Sequence, residues 1–311
     1  MNLDKVTAVI VLYDASNIVL DCIKNLENIK LIIVDNGRNN PELIDKIKKS
    51  KNLFKYIKTE KNLGFGKGCN LAYKEVKTEF TLFIEADVII NIKNIENLIS
   101  TFLKYPKAAI TAPVLCDSSG KNIDKLENLP EYYSNNKDKK IQEINHRLFN
   151  SKIEGDVCVN FCWAAIFLTN NKIIDQVGLF DEKYFLFWED FDLCRRLRKL
   201  KIPIIKSFNS FAEHKVAKST TNSLKTYFII QKYHILSSYI YFGVDKKDKK
   251  LIKKLLLSAG LIALVIGMTG CNATATVGKT ANPPWVDGSV NTNGVSVTVP
   301  LLKVGAGWAD E

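Results

Sequence analysis

Five short segments carry side chains able to do chemistry on a charged, phosphate-bearing substrate. Tyr13-Asp14 and Asp35-Asn36-Gly37 each close a Val/Ile-rich run, which puts acids at the C-terminal edge of adjacent strands, the edge where open parallel sheets bind ligands. A single strand-end Asp serves equally as a helix N-cap, so these two gain weight only from their company. Lys61-Asn62-Leu63-Gly64-Phe65-Gly66-Lys67-Gly68-Cys69-Asn70 precedes a helical stretch. Its alternate glycines allow backbone to approach an anion while amides and Lys67 face it. No Ser or Thr follows Gly-Lys, and the glycine spacing is not that of a dinucleotide fingerprint, so a plain turn explains the segment as well. Glu85-Ala86-Asp87 ends another apolar run, and alternation sets both carboxylates on one side of the extended chain. They can share a divalent cation or stand as two solvated acids. Trp188-Glu189-Asp190 opens a helix beside Tyr184-Phe185-Leu186-Phe187. A carboxylate among rings is a base with a raised pKa, while the helix dipole also favours acids there. His214 is one of three histidines, and its value depends on reaching Asp87.

Stepping outward from these residues, Val/Ile-rich runs alternate with amphipathic stretches over the first 115 residues, the rhythm of parallel strands joined by helices. Strands are expected near 6–13, 31–35, 54–58, 80–86 and 108–115, and helices over 18–28, 41–51, 67–77 and 94–104, with Pro41 in a favourable first turn. The expected fold class is α/β: a Rossmann-like, mainly parallel sheet covered by helices on both faces, with a C-terminal helical extension. Residues 117–152 are polar and rich in Lys and Asn and read as an exposed excursion. A long strand is expected over 156–168, a helix over 188–200 with Phe191, Leu193 and Leu197 on its apolar face, a strand over 203–208, and a Tyr-rich helix over 221–243.

The chain has 311 residues, 46% apolar and 25% charged, which suits one main domain with an appendage and excludes wholesale disorder, collagen and a polytopic membrane protein. Lys and Arg outnumber Asp and Glu by 44 to 33, giving +11 and pointing to anionic partners: nucleotides, nucleic acid or an anionic membrane surface. Seven scattered cysteines read as reduced thiols. Cys158 and Cys162 would lie about 13 Å apart on a strand, too far to form a metal half-site. The N-terminal apolar run is too short for a signal peptide and reads as a first strand. The domains expected are 1–220, a basic helical extension over 221–254, an uncharged segment over 255–271, and a low-charge tail over 272–311. The segment 255–271 reads either as a short membrane span or as a lipoprotein-signal-like run ending in Cys271, and the tail as a fusion or artefact.

The order VTAVIVLYD, IIVDNG, KNLGFGKGCN, FIEAD, VGLFDEKYFLFWEDFDLCRRLRKLKIPI and AEH resembles the family-2 glycosyltransferases, particularly their rhamnosyltransferase-like branch, over residues 5 to about 220. The resemblance implies a GT-A fold and inverting transfer of a sugar from a nucleoside diphosphate sugar to an acceptor hydroxyl. By that likeness Asp35 contacts the nucleotide base, and Tyr13, Asn36, Asn62, Gly64, Gly66, Glu85 and Arg195 line the nucleotide-sugar site. Asp87, with His214, would hold Mg or Mn, and Asp190 would be the catalytic base, with Glu189 the alternative. Arg195 and Arg196 face phosphate or line a solvated helix face. Glu-Ala-Asp stands where many relatives have Asp-x-Asp, but the final Asp is kept. The implied donor is a dTDP- or UDP-sugar. The implied acceptor is a glycan or lipid-linked sugar of a bacterial cell-surface polysaccharide, met at the cytoplasmic face of the cell membrane, with no nucleic acid partner. Competing readings are a sugar nucleotidyltransferase, which would lack the aromatic Glu-Asp helix, and a catalytically silent binding module.

Overall fold

A computed structural model describes residues 3–123, 155–215 and 224–243, and three strands near the C-terminus. The described residues fall in two compact units, Met1–Phe242 and Gly243–Glu311. Residues 124–152 of the excursion expected over 117–152, the lysine cluster at 246–254 and the uncharged segment at 255–271 lie outside the described residues. Among the described residues no helix is long and apolar enough to cross a membrane.

The first unit opens with β1 (Val6–Leu12), α1 (Ile18–Asn25), β2 (Lys30–Asp35), α2 (Pro41–Lys48), β3 (Leu53–Lys58), α3 (Phe65–Tyr73) and β4 (Phe80–Ile84). There follow β5 (Val88–Ile89), α4 (Ile92–Lys104), β6 (Ile110–Cys116), β7 (Asp156–Val159), β8 (Ile166–Asn170), α5 (Asn171–Val177), α6 (Glu189–Lys199), β9 (Ile204–His214) and α7 (Leu224–Phe242). Local chemistry sets several helix starts. Asn40 accepts the Glu42 amide ahead of Pro41, and Asn91 accepts the Asn94 amide at the start of α4.

The sheet runs β3-β2-β1-β4-β8-β6-β9-β5, with β7 also on β9. β1, β2, β3 and β4 are mutually parallel, as is the β6–β9 pair, while β8 runs antiparallel to β4 and β6, and β5 and β7 run antiparallel to β9. Both faces are covered. On β1, Ala8, Ile10 and Leu12 pack toward α1, α2 and α4, whereas Val9 and Val11 pack toward α3 and α6. This period-two split of a strand buried on both faces is what a two-sided cover demands.

Three expectations need correction. The single strand over 156–168 is two, because β7 pairs with β9, the chain leaves the sheet at residues 160–165, and β8 pairs with β4. Phe161, Cys162 and Ala164 are apolar because they are buried, not because they are strand. The strand expected over 80–86 stops at Ile84, and Glu85-Ala86-Asp87 is a turn closed by the Val88 amide on the Glu85 carbonyl (3.2 Å). The strand expected over 203–208 runs on through His214, with a register shift against β6 between Pro113 and Val114.

In the second unit, β10 (Asp287–Asn291), β11 (Gly294–Val299) and β12 (Leu302–Gly307) form an antiparallel meander. The Val and Thr content of this tail suits strands.

Candidate active site

The parallel strands β1, β2, β3 and β4 end at one edge, and there the predicted residues gather. Leu12 pairs with Asp35 at the tip of β1 and β2, and the Asn36 amide bonds the Leu12 carbonyl (2.8 Å). Asp35 is fully buried and accepts from the Gly37 amide (2.9 Å), Asn39 (2.5 Å), Lys58 (2.6 Å) and the Tyr56 hydroxyl. Burial alone would raise its pKa, but these four donors outweigh that and hold it at about 2. The carboxylate likened to a base contact is thus an ionised knot that fixes the strand end. Tyr13, just beyond β1, is 47% exposed.

Asn36, also buried, reaches across to the glycine loop. Its Nδ2 donates to the Gly64 carbonyl (2.9 Å) and its Oδ1 accepts the Leu63 amide (3.2 Å). Asn62 closes a turn by accepting the Gly64 amide (2.8 Å). The glycines allow close packing against protein. Gly64 has φ +84°, and a Cβ there would sit 2.0 Å from the Phe185 carbonyl oxygen. A Cβ on Gly66 would meet Phe180 at 3.0 Å, and one on Gly68 would meet Val11 at 2.8 Å. Lys67 is paired with Glu182 (2.9 Å) rather than facing an anion. The loop and α3 therefore dock on the segment that leads into α6, with Asn70 donating to the Phe180 carbonyl (2.8 Å) and accepting its amide (3.1 Å).

That segment ends in a tense turn. Phe187 (φ 65°) and Trp188 (φ 70°) both adopt left-handed backbone, which bulky side chains rarely do and which the surrounding packing must enforce. α7 supplies much of that packing. Tyr233 stacks on Phe185 (4.5 Å), His234 stacks on Phe187 (3.8 Å), and the Ser237 hydroxyl donates to the Leu186 carbonyl (2.8 Å). Tyr241 abuts Trp188 (5.3 Å). Arg195 is not brought to the acidic edge. Its guanidinium lies over the Tyr241 ring (3.9 Å), donates to the Tyr241 carbonyl (2.6 Å) and pairs with Asp192 (3.1 Å). Arg196 also pairs with Asp192 (2.7 Å) and caps the carbonyls of Val177, Gly178 and Leu179. Both arginines are partly buried and lock α6 to its neighbours.

The turn presents Glu189 and Asp190. Glu189 is 6% exposed, and its Oε2 is buried without a hydrogen-bond partner. Burial, then the Asp190 charge, pushes Glu189 up to about 8. Burial also raises Asp190, to about 6, where amides of Phe191 (2.8 Å) and Ala164 (3.5 Å) restrain it. Burial, with the charge of Asp190 acting on Glu189, disfavours two negative charges on the pair, an arrangement suited to a base beside a neutral neighbour.

Glu85 and Asp87 come together through their turn, not through strand alternation. The Val88↔His214 pairing of β5 with β9 then brings in the imidazole, 3.6 Å from Glu85 and 3.5 Å from Asp87. One ligand atom from each of these three residues falls within 4.8 Å of the others. Burial and the charges of Asp87 and Asp190 push Glu85 up to about 7, while its bond to Asp87 and the Glu85 charge raise His214. Two carboxylates and an imidazole, crowded by a further acid pair, fit a hard divalent cation of the Mg or Mn type. The six described cysteines are free, and none joins this group.

Sequence reasoning missed Asn39, Tyr56, Asn70, Ser237 and Tyr241, which hold the site from behind. Of these, Asn70, with its two hydrogen bonds to Phe180, stood in the glycine segment, and Ser237 and Tyr241 in the Tyr-rich helix, with no signal of their partners.

By sequence, no curated protein matches. By structure, the chain is similar to GalNAc-T7 solved with UDP, GalNAc and Mn2+ (14% identity, TM-score 0.53, 74% of this chain and 48% of that one). It is also similar to the mannosyltransferase PcManGT from Pyrobaculum calidifontis in complex with GDP-Man and Mn2+ (11% identity, TM-score 0.54, 78% of this chain and 64% of that one). The chain thus spans from about half to just under two thirds of the length of these neighbours, and at such identity the likeness is one of fold. The profile of Glycosyl transferase family 2 matches residues 7–167, just over half of the chain and every strand from β1 to the start of β8. With the GT-A-like sheet and the acidic edge in place, that match makes the chain a member of glycosyl transferase family 2.

Proposed function

We propose that this protein is a metal-dependent, inverting glycosyltransferase that moves a hexose, rhamnose-like or other, from a nucleoside diphosphate sugar to an acceptor hydroxyl. The observation that carries the reading is the convergence of Glu85, Asp87 and His214 beside the Glu189–Asp190 pair at the C-terminal edge of the sheet. Asp87, Glu85 and His214 would hold Mg or Mn. When bound, such an ion supplies positive charge to a diphosphate leaving group. Asp190, partly buried, takes the proton from the acceptor hydroxyl as its oxygen attacks the anomeric carbon and the nucleoside diphosphate leaves. Glu189, protonated, keeps a second negative charge away from the base. Asp35, Asn36 and the Asn62–Gly64 turn set the rim against which the nucleotide would lie. UDP, dTDP and GDP are the donor nucleotides to try first, and a glycan or lipid-linked acceptor for cell-surface polysaccharide follows from the resemblance. The lysines at 246–254 suit a role at the inner face of the cell membrane.

The test is calorimetric titration of the full chain with nucleoside diphosphates and their sugars, with and without Mn2+, for wild type and Asp87→Ala. Metal-dependent binding lost in the variant is expected. Folded protein that binds none of them would overturn the transferase reading in favour of a silent module. Release of pyrophosphate from a sugar phosphate and a nucleoside triphosphate would favour a nucleotidyltransferase.

A further inference from the structure

Residues 160–165, between β7 and β8, hold the two acidic groups of the site from one short stretch of chain. The Ala164 amide points to Asp190 (3.5 Å), and the Ala165 carbonyl accepts the Glu85 amide (2.8 Å). Phe161 is buried and stacks on Phe191, the residue after Asp190, at 4.2 Å and 16°. Cys162 is buried and its carbonyl faces the Cys194 thiol (3.9 Å). Between these inward residues Trp163 turns outward and is 41% exposed. Its ring lies 6.1 Å from Phe161, its one aromatic neighbour among the described residues. It is thus the outer end of a row of rings, Trp163, Phe161, Phe191 and Trp188, that flanks the acid pair. Exposing a large indole in water forgoes the burial that its neighbours achieve, and a rigid aromatic face with a polar N–H edge is suited to a ligand that is apolar on one side and polar at its rim.

We propose that Trp163 is the stacking platform for the acceptor, and that the acceptor presents a pyranose ring there. A pyranose carries C–H groups on one face and hydroxyls around its edge, so a ring lying on the indole keeps its hydroxyls in water or turned to the site. The neighbouring Ala164 ties the platform to the base, which must meet one of those hydroxyls. This rests on the proposed transferase function and its sugar acceptor, and adds the residue that seats the acceptor ring.

The experiment is saturation-transfer NMR on the full chain with Mg2+, UDP, dTDP or GDP, and a panel of methyl hexopyranosides as probes. Wild type, Trp163→Ala and Trp163→Phe are compared. In wild type, the C–H protons of one sugar face should take up the most saturation. Trp163→Ala should weaken that sugar's binding about tenfold, and Trp163→Phe should restore part of it, as expected for one stacked aromatic contact. Calorimetric nucleotide binding by each variant shows that the fold is kept. If nucleotide binds and no pyranoside is saturated, or if Trp163→Ala is saturated like wild type, the platform is overturned while the transferase reading stands. If wild type binds no nucleotide, the transferase reading itself falls and takes the platform with it. If Trp163→Ala instead lowers sedimentation with anionic phospholipid vesicles and leaves sugar saturation intact, the indole is a lipid contact and the proposal is wrong.

Discussion

Replacing Gly64 with Ala puts the strongest demand on the reasoning, because it adds one methyl at the joint between the two halves of the site. The backbone there has φ +84°, which costs an L-residue about 1–2 kcal/mol. The new Cβ would lie 2.0 Å from the Phe185 carbonyl oxygen, so that oxygen must retreat by more than 1 Å, and the bond it accepts from the Phe65 amide (3.3 Å) is lost, at about 1 kcal/mol. Together the cost is about 2–3 kcal/mol. Gly120→Ala is the control, since Gly120 has φ +79° with nothing within 4 Å of an added Cβ. It should lose only the backbone cost of about 1–2 kcal/mol, and the entropy removed from the unfolded chain is the same for both. Urea unfolding of each variant, followed by far-UV circular dichroism, gives the difference directly. Because Phe185 leads into the left-handed pair Phe187 and Trp188, Gly64→Ala should also slow sugar transfer more than it weakens nucleotide binding. Losses within about 0.5 kcal/mol of each other would refute the claim that this glycine is kept for the Phe185 contact.

Three further outcomes follow from the site. Glu189 holds its proton up to about 8 in the folded chain against an ordinary 4.5, so between those values the folded state binds more protons, and metal-free stability should fall as pH rises through that window. Glu189→Gln should flatten the slope in urea midpoints measured from pH 5 to 8. Asp190→Asn should abolish transfer with nucleotide binding intact, and the wild-type rate should climb as pH rises through about 6, in a pH profile of kcat. Ser237→Ala removes the hydroxyl that donates to the Leu186 carbonyl, and should cost about 1 kcal/mol in urea unfolding and lower kcat more than it changes donor KM.

The parts of the fold that hydrophobic period governs were readable. β1 and β2 fall where their apolar runs stand, and α2 begins at Pro41 as the chemistry of Asn40-Pro41 dictates. Where burial and strand formation part ways, the reading failed: Phe161 and Cys162 are as apolar as any strand residue, yet lie in a loop. Hydropathy reports what is removed from water, not what the backbone bonds to. The acids were readable because Glu85, Asp87, Glu189 and Asp190 stand at the ends of patterned elements. What unites them was not. The Asp87–His214 approach depends on two residue pairs between β5 and β9, too few to leave a periodic signal. Likewise Arg195 carries the same charge whether it meets phosphate or, as here, an aromatic ring and a helix-end carbonyl.

The brevity of β5 has an energetic corollary. Its two pairs with β9 and the Lys215 amide on the Asp87 carbonyl (2.8 Å) are the backbone ties, among the described residues, between the Glu85–Asp87 turn and the last strand of the sheet, beside the His214 imidazole. An edge so slight opens at a small fraction of the global unfolding free energy, and its amides should exchange with solvent long before those of β1. A cation shared by the turn and His214 would act as a clasp across that edge. Ion affinity and edge closure are then two readings of a single equilibrium, so slowed exchange at Lys215 would report occupancy of the site as faithfully as a binding isotherm.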